Sequence, residues 1–178
     1  MRKKEELLLM AAEIIQNEGI QALSMDYLAQ KADITKGGVL YHFESKGNLL
    51  LKMNQMVIDN FDEKVEKHQK DMTGNYQFTR AYALATLDYL NQDQQSFLPA
   101  VFIASYADKD SLDLWQHFSG QWNDAFLADT GDRAKIMKLR LLADGIWFHV
   151  LYYRDDVNKR EIEKVIHEEC RILSEEGS

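Results

Sequence analysis

Residues 24–47 read SMDYLAQKADITKGGVLYHFESKG. Two short amphipathic helices joined by a tight turn fit this stretch, followed at once by the start of a third helix. Ser24 is a good N-cap for the first, which carries Tyr27, Leu28, Ala29 and Ala32. Asp33 and Ile34 make the turn, and small Ala29 lets the next helix cross closely. Thr35 caps the second helix, which runs to about His42. This second helix is too sparsely apolar on its outer face to serve packing alone. The pattern predicts a helix-turn-helix that enters the major groove of DNA.

Outward from this segment the chain is punctuated for helices. It has 178 residues, one proline and nine glycines, and 46% of it is hydrophobic. That is enough to bury a core, and a chain so poor in breakers forms long helices. A helix over Lys3–Glu18 carries Leu7, Met10, Ala11, Ile14 and Ile15 on one face and stops at Gly19. Ser45 caps a long helix reaching about Lys70, which the tract MTGNYQ interrupts. Further helices are expected over 76–90, 97–107, from Asp110 or Ser111 onward, over 133–154, and after DDVN. The expected fold is all-α, about nine helices in total. A three-helix reading domain spans 1–47, its helix-turn-helix at about 24–43, and a larger helical domain spans 48–178. No membrane-length apolar run is present. The N-terminus reads as a helix, not a signal peptide. With a lone Cys170 no internal disulfide can form, which points to a reducing cytoplasm.

The net charge of −8 is unevenly spread. Residues 1–47 hold six Lys/Arg and seven Asp/Glu, a net of −1, and the remainder holds 15 and 22, a net of −7. The acid burden therefore lies mostly outside the reading domain. A few lysines there can still meet phosphates, but nonspecific binding should be weak.

From Leu7 to Leu50 the chain resembles the DNA-binding domain of TetR/AcrR-type transcriptional repressors. The resemblance rests on the Ala-containing apolar first helix, Gly19, LAQKADI, TKGGVLYHF and ESKGNLL. LRLLADGIWFHVLYY is similar to the penultimate helix of one branch of that family. Two departures stand out: Asp33 where a glycine is usual, and Leu40 where a tyrosine is common. The resemblance implies a dimeric, ligand-responsive regulator.

The candidate DNA contacts are Thr35, Lys36, Gly37, Gly38, Tyr41, His42 and Lys46. The glycines keep the leading edge of the helix slim, at about 1 kcal/mol each in helix propensity. Lys36 can reach guanine O6 or N7, or a phosphate. Tyr41 and His42 can donate to backbone oxygens, and Lys46 can clamp a further phosphate. Val39, Leu40 and Phe43 are expected to hold the helix inward.

The rest of the chain is rich in aromatic residues. Phe61, Tyr82, Tyr89, Phe102, Tyr106, Trp115, Phe118, Trp122 and Trp147 are candidates for lining a pocket for a small apolar or aromatic effector. Spacing alone does not separate pocket from core. A cavity faced by Asp88 or Asp144 would favour a cationic ligand. Gly145, Phe148, Tyr152, Ile162, Val165 and Ile166 on the last two helices are candidates for a homodimer interface, a four-helix bundle built from two subunits. The alternative is that the penultimate helix is the buried centre of a monomer.

Neither HExxH nor CxxC occurs, so no metal site, cofactor or catalytic residue is assigned. The function expected is a repressor, not an enzyme, released from a palindromic operator when effector binding swings the long fourth helix. The alternative is a helical enzyme or carrier with an N-terminal docking module.

Overall fold

A computed structural model of the chain describes residues 3–91, 101, 106, 108–152 and 158–176, the side chains of 150–152 excepted. All described elements are helices: α1 (Lys3–Glu18), α2 (Met25–Lys31), α3 (Lys36–His42), α4 (Lys46–Gln69), α5 (Gln77–Leu90), α6 (Lys109–Ala128), α7 (Arg133–Tyr152) and α8 (Lys159–Glu176). The short helix expected over 97–107 lies outside the described residues except for Val101 and Tyr106. Two compact units form, one from Met1–Ile58 with Phe97–Phe118, the other from Asp59–Ser96 with Ser119–Ser178.

The first unit is centred on the apolar stripe of α1. Leu7, Leu8, Ala11, Ala12, Ile14 and Ile15 are all buried, as the 3.6-residue period requires. Gly19 ends the helix at φ +86° and donates its N–H to Ile15 O at 3.0 Å. Leu23, Leu28, Val39, Phe43, Leu49 and Met53 complete this core, none more than 1% exposed. Ser45 caps α4, its Oγ accepting from Asn48 N at 3.1 Å. The start of α6 differs from expectation. Its cap is Asp108, whose Oδ2 accepts from both Ser111 N (2.9 Å) and Ser111 Oγ (2.6 Å). Ser111 is thus a donor inside the first turn, and its burial leaves the carboxylate as the only acceptor described for its hydroxyl.

In the second unit α5 packs against α7 and α8. It is buried on most sides, and Ala81, Ala83 and Ala85 let neighbouring backbones approach. The break before α5 is a tied corner. Tyr76 adopts a left-handed backbone (φ +61°), donates its N–H to Thr130 O at 3.0 Å, and accepts on its hydroxyl from Asp132 N at 2.9 Å. Its ring lies on Gly131 (φ +121°), where a β-carbon would come within 2.2 Å of Tyr76 Cε1. Thr79 fastens the same corner by donating N–H and hydroxyl to Asp129 Oδ2 at 2.8 and 2.7 Å.

Candidate nucleic-acid interface

Helices α2 and α3 have seven residues each, too few to persist alone, so caps and packing must define them. Ser24 Oγ accepts from Tyr27 N and Thr35 Oγ1 from Gly38 N, each at 3.1 Å. Between the helices Ile34 donates to Ala29 O at 3.0 Å. Asp33 supplies the left-handed residue of the turn, φ +52°. Asp is one of the few L residues that visit this region, which is how the chain manages without a glycine there.

Val39 and Phe43 are fully buried and fix the inner face of α3. Leu40, one step round the helix, points outward and is 40% exposed, which corrects the expectation that it packs inward. The outer face carries exposed Thr35, Lys36 and Gly37, half-buried Gly38 and His42, and Tyr41 at 85% exposure. A β-carbon on Gly37 would meet nothing closer than Thr35 Oγ1 at 3.8 Å, and one on Gly38 would only touch Ile34 at 3.4 Å. Internal packing therefore does not demand either glycine. The imidazole of His42 lies edge-on to the Tyr41 ring, centroids 5.1 Å apart.

The lysines are less free than their sequence suggests. Lys36 Nζ lies 2.8 Å from Asp26 Oδ2. Lys46 is half-buried and donates to Ile20 O at 2.9 Å, bracing the loop after α1, so one of its three donors is already taken. On the neighbouring surface Tyr27 donates its hydroxyl to Glu18 (2.9 Å), which also receives Lys31 at 3.2 Å. The tyrosine hydrogen bond, then the lysine, hold the Glu18 carboxyl below its ordinary range. Sequence reasoning missed Asp26 and Glu18. Each meets its lysine ten or more residues away across a turn, a separation with no periodic signature.

The aromatic candidates do not form one set. In the second unit Phe61 is 1% exposed and is ringed by Tyr82, Trp122 and Trp147 at 5.1–5.2 Å and Tyr89 at 6.0 Å. Phe78 and Phe126 extend the cluster past Tyr82 and were not expected. Carboxylates take the polar edges: Asp62 accepts from Trp122 Nε1 at 2.8 Å, and Asp144 from Tyr82 Oη at 3.0 Å. Burial pushes both carboxyls above their ordinary range. Asp88 instead pairs with His68 (3.0 Å) and Lys64 (3.8 Å). Trp115 and Phe118 belong to the first unit, where Trp115 Nε1 donates to the buried Asn54 at 2.6 Å. Tyr106 is 83% exposed and joins no described ring, so its expected pocket role is corrected. Phe102 lies outside the described residues.

Among the dimer candidates Gly145 is exposed, with nothing within 4 Å of where its β-carbon would stand. Phe148 is 66% and Val165 47% exposed, and Met137 and Leu141, not foreseen, extend the same apolar exposure along α7. A groove of about 310 Å³ between α7 and α8 is lined by Gly145, Ile162, Val165 and Ile166 among others. Ile166 is 1% exposed, so it forms the floor of the subunit's own groove and offers no protruding side chain, a correction to its expected place. The side chain of Tyr152 lies outside the described residues. Cys170 is buried on α8, and burial pushes its thiol up to about 12, so it is not a reactive thiolate near neutral pH. Among the described residues no helix is long and apolar enough to cross a membrane, and no group of three His, Cys, Asp or Glu is placed to share a metal ion.

Two family models match. Residues 3–53 match "Bacterial regulatory proteins, tetR family", and residues 76–168 match "Tetracyclin repressor-like, C-terminal domain". The chain is 32% identical over 95 residues to the HTH-type transcriptional activator FasR of Mycolicibacterium smegmatis, covering 53% of this chain and 43% of that protein. It thus spans less than half the length of that curated relative. Two solved structures share the fold. A putative transcriptional regulator from Pseudomonas aeruginosa PAO1 has a TM-score of 0.70 at 15% identity, covering 96% of this chain and 89% of that one. The multidrug binding protein EbrR complexed with malachite green has a TM-score of 0.64 at 17% identity, covering 95% and 98%.

Proposed function

Because the chain belongs to the tetR family of bacterial regulatory proteins, we propose that it is a DNA-binding transcriptional regulator, with residues 1–47 as reading head and residues 48–178 as effector-binding and dimerising part. The observation that carries this reading is the outer face of α3. Two glycines that internal packing does not require lie beside exposed Thr35, Lys36 and Tyr41. A helix with so little bulk on its leading edge suits close approach to base edges. His42 and the remaining donors of Lys46 lie at the flank. The test is operator binding at fixed salt. Lys36→Ala should weaken it by about 1–3 kcal/mol, and an unchanged affinity refutes the role of α3.

The dimer proposal is supported by the exposed apolar run of Met137, Leu141, Phe148 and Val165 beside the open Gly145. Apolar exposure of this kind on adjoining helices suits an isologous four-helix contact. Two reading heads related by a twofold axis would then read a palindromic site. Phe148→Glu should yield monomers by sedimentation.

For the effector we propose a small apolar or aromatic molecule binding near the rings around Phe61. Support comes from the density of rings and from EbrR, a protein of like fold solved with the dye malachite green. The effector acts only through its differential affinity for two states of the protein. The repressor sign remains our proposal. FasR is named an activator, and a reporter fused to the operator, with and without this chain, separates the two signs. A family of regulators lends nothing to the enzyme or carrier reading. We place the protein in the cytoplasm, where its operator would be.

A further inference from the structure

The reading head presents its central cation already paired. Lys36 Nζ and Asp26 Oδ2 are 2.8 Å apart, yet their side chains are 54% and 70% exposed. The pair bridges two different helices, so it is not a by-product of helical spacing. It lies open to whatever faces α3. An ammonium has three donors, and Asp26 occupies one.

What such a pair offers an approaching acceptor depends on the acceptor's charge. A phosphate drawn to Lys36 is also repelled by Asp26: at long range the pair is nearly neutral, and at contact, with the carboxylate on the other side of the ammonium, the pull is weakened. A neutral purine acceptor, guanine O6 or N7, meets two remaining polarised N–H donors and carries no net charge for Asp26 to repel. Holding the ammonium also lowers the side-chain entropy lost on contact.

We propose that Asp26 is a specificity-determining residue of DNA reading: it holds the Lys36 ammonium in place for a neutral base acceptor and weakens its pull on phosphates of non-cognate DNA. This rests on the reading that α3 faces DNA, and it resolves the alternatives for Lys36 in favour of a base. The net of −1 over residues 1–47 fits a head designed for low background affinity.

The test compares the intact chain and its variants on two duplexes, one enriched from a random-sequence library by the wild-type protein and one scrambled from it. Asp26→Asn should tighten the scrambled duplex more than the enriched one, lowering their affinity ratio about fivefold and steepening the salt slope on the scrambled duplex by about 0.9. Glu13→Gln, an exposed acid of α1, controls for bulk charge and should leave the ratio unchanged. In a Lys36→Ala background Asp26→Asn should no longer change the ratio. Asp26→Ser, neutral and suited to a first turn, repeats the measurement if asparagine unsettles α2. Equal shifts on both duplexes, or none, overturn the proposal while Lys36→Ala still weakens the enriched duplex. If Lys36→Ala changes neither duplex, the reading of α3 falls with it.

Discussion

In α3 two residues without side chains face outward, whereas Phe61 and four other large aromatic side chains face one another. The first arrangement gives up stability, about 1 kcal/mol for each helical glycine. The second gains it, since every ring buried there contributes apolar area and edge-to-face contact. A sacrifice of stability at a surface calls for an outside explanation. A gain of stability in a core does not, and this is why α3 speaks for function more clearly than the aromatic cluster does.

The sharpest way to break the comparison is at Phe61. As packed core, Phe61→Ala should cost about 3–5 kcal/mol in denaturant unfolding followed by tryptophan fluorescence. A loss near 1 kcal/mol would mean that the ring borders empty space, and the cluster would then be a formed pocket. Next in size is Gly131→Ala. The new β-carbon would overlap the Tyr76 ring, and φ +121° is strained for alanine, so roughly 3 kcal/mol should be lost. A loss under about 1 kcal/mol would show that the corner at Tyr76 relaxes freely.

These two sites also mark the limit of what could be read from the chain. The caps at Ser24, Thr35 and Ser45 were legible because capping is local chemistry, and the three hydrogen bonds are present. The stripe of α1 was legible because a helix repeats. Tyr76 and Gly131 were not, since a left-handed tyrosine is set by a loop 55 residues later in the chain. Asp108 was missed as a cap because Asp110 and Ser111 offer the same chemistry two or three residues on. Of the candidate site, the outward face of α3 followed from its glycines. Its partner Asp26 did not, and the eight described aromatic candidates divided between two units because helical spacing carries no information about which helices meet.

The contrast between glycines makes the third prediction. Gly37→Ala places a methyl group in open space inside a helix, so stability should rise by up to about 1 kcal/mol while operator affinity falls. The same substitution therefore has opposite signs at 37 and 131. If melting temperature rises and operator affinity holds, the backbone of α3 does not approach DNA closely, and the cost of Gly37 needs another cause.

The smallest expected effect lies at Asp33. Its left-handed backbone strains an L residue by about 1 kcal/mol, which glycine would relieve. Glycine also loses more freedom on folding, by a similar amount. The two nearly cancel, so Asp33→Gly should change stability by less than about 0.5 kcal/mol. Asp33→Ala has the strain without aspartate's tolerance of the region and should lose about 1 kcal/mol. Equal stability of all three forms would mean that φ at 33 is free to move, and the angle between α2 and α3 would then be set by Val39 and Phe43 alone.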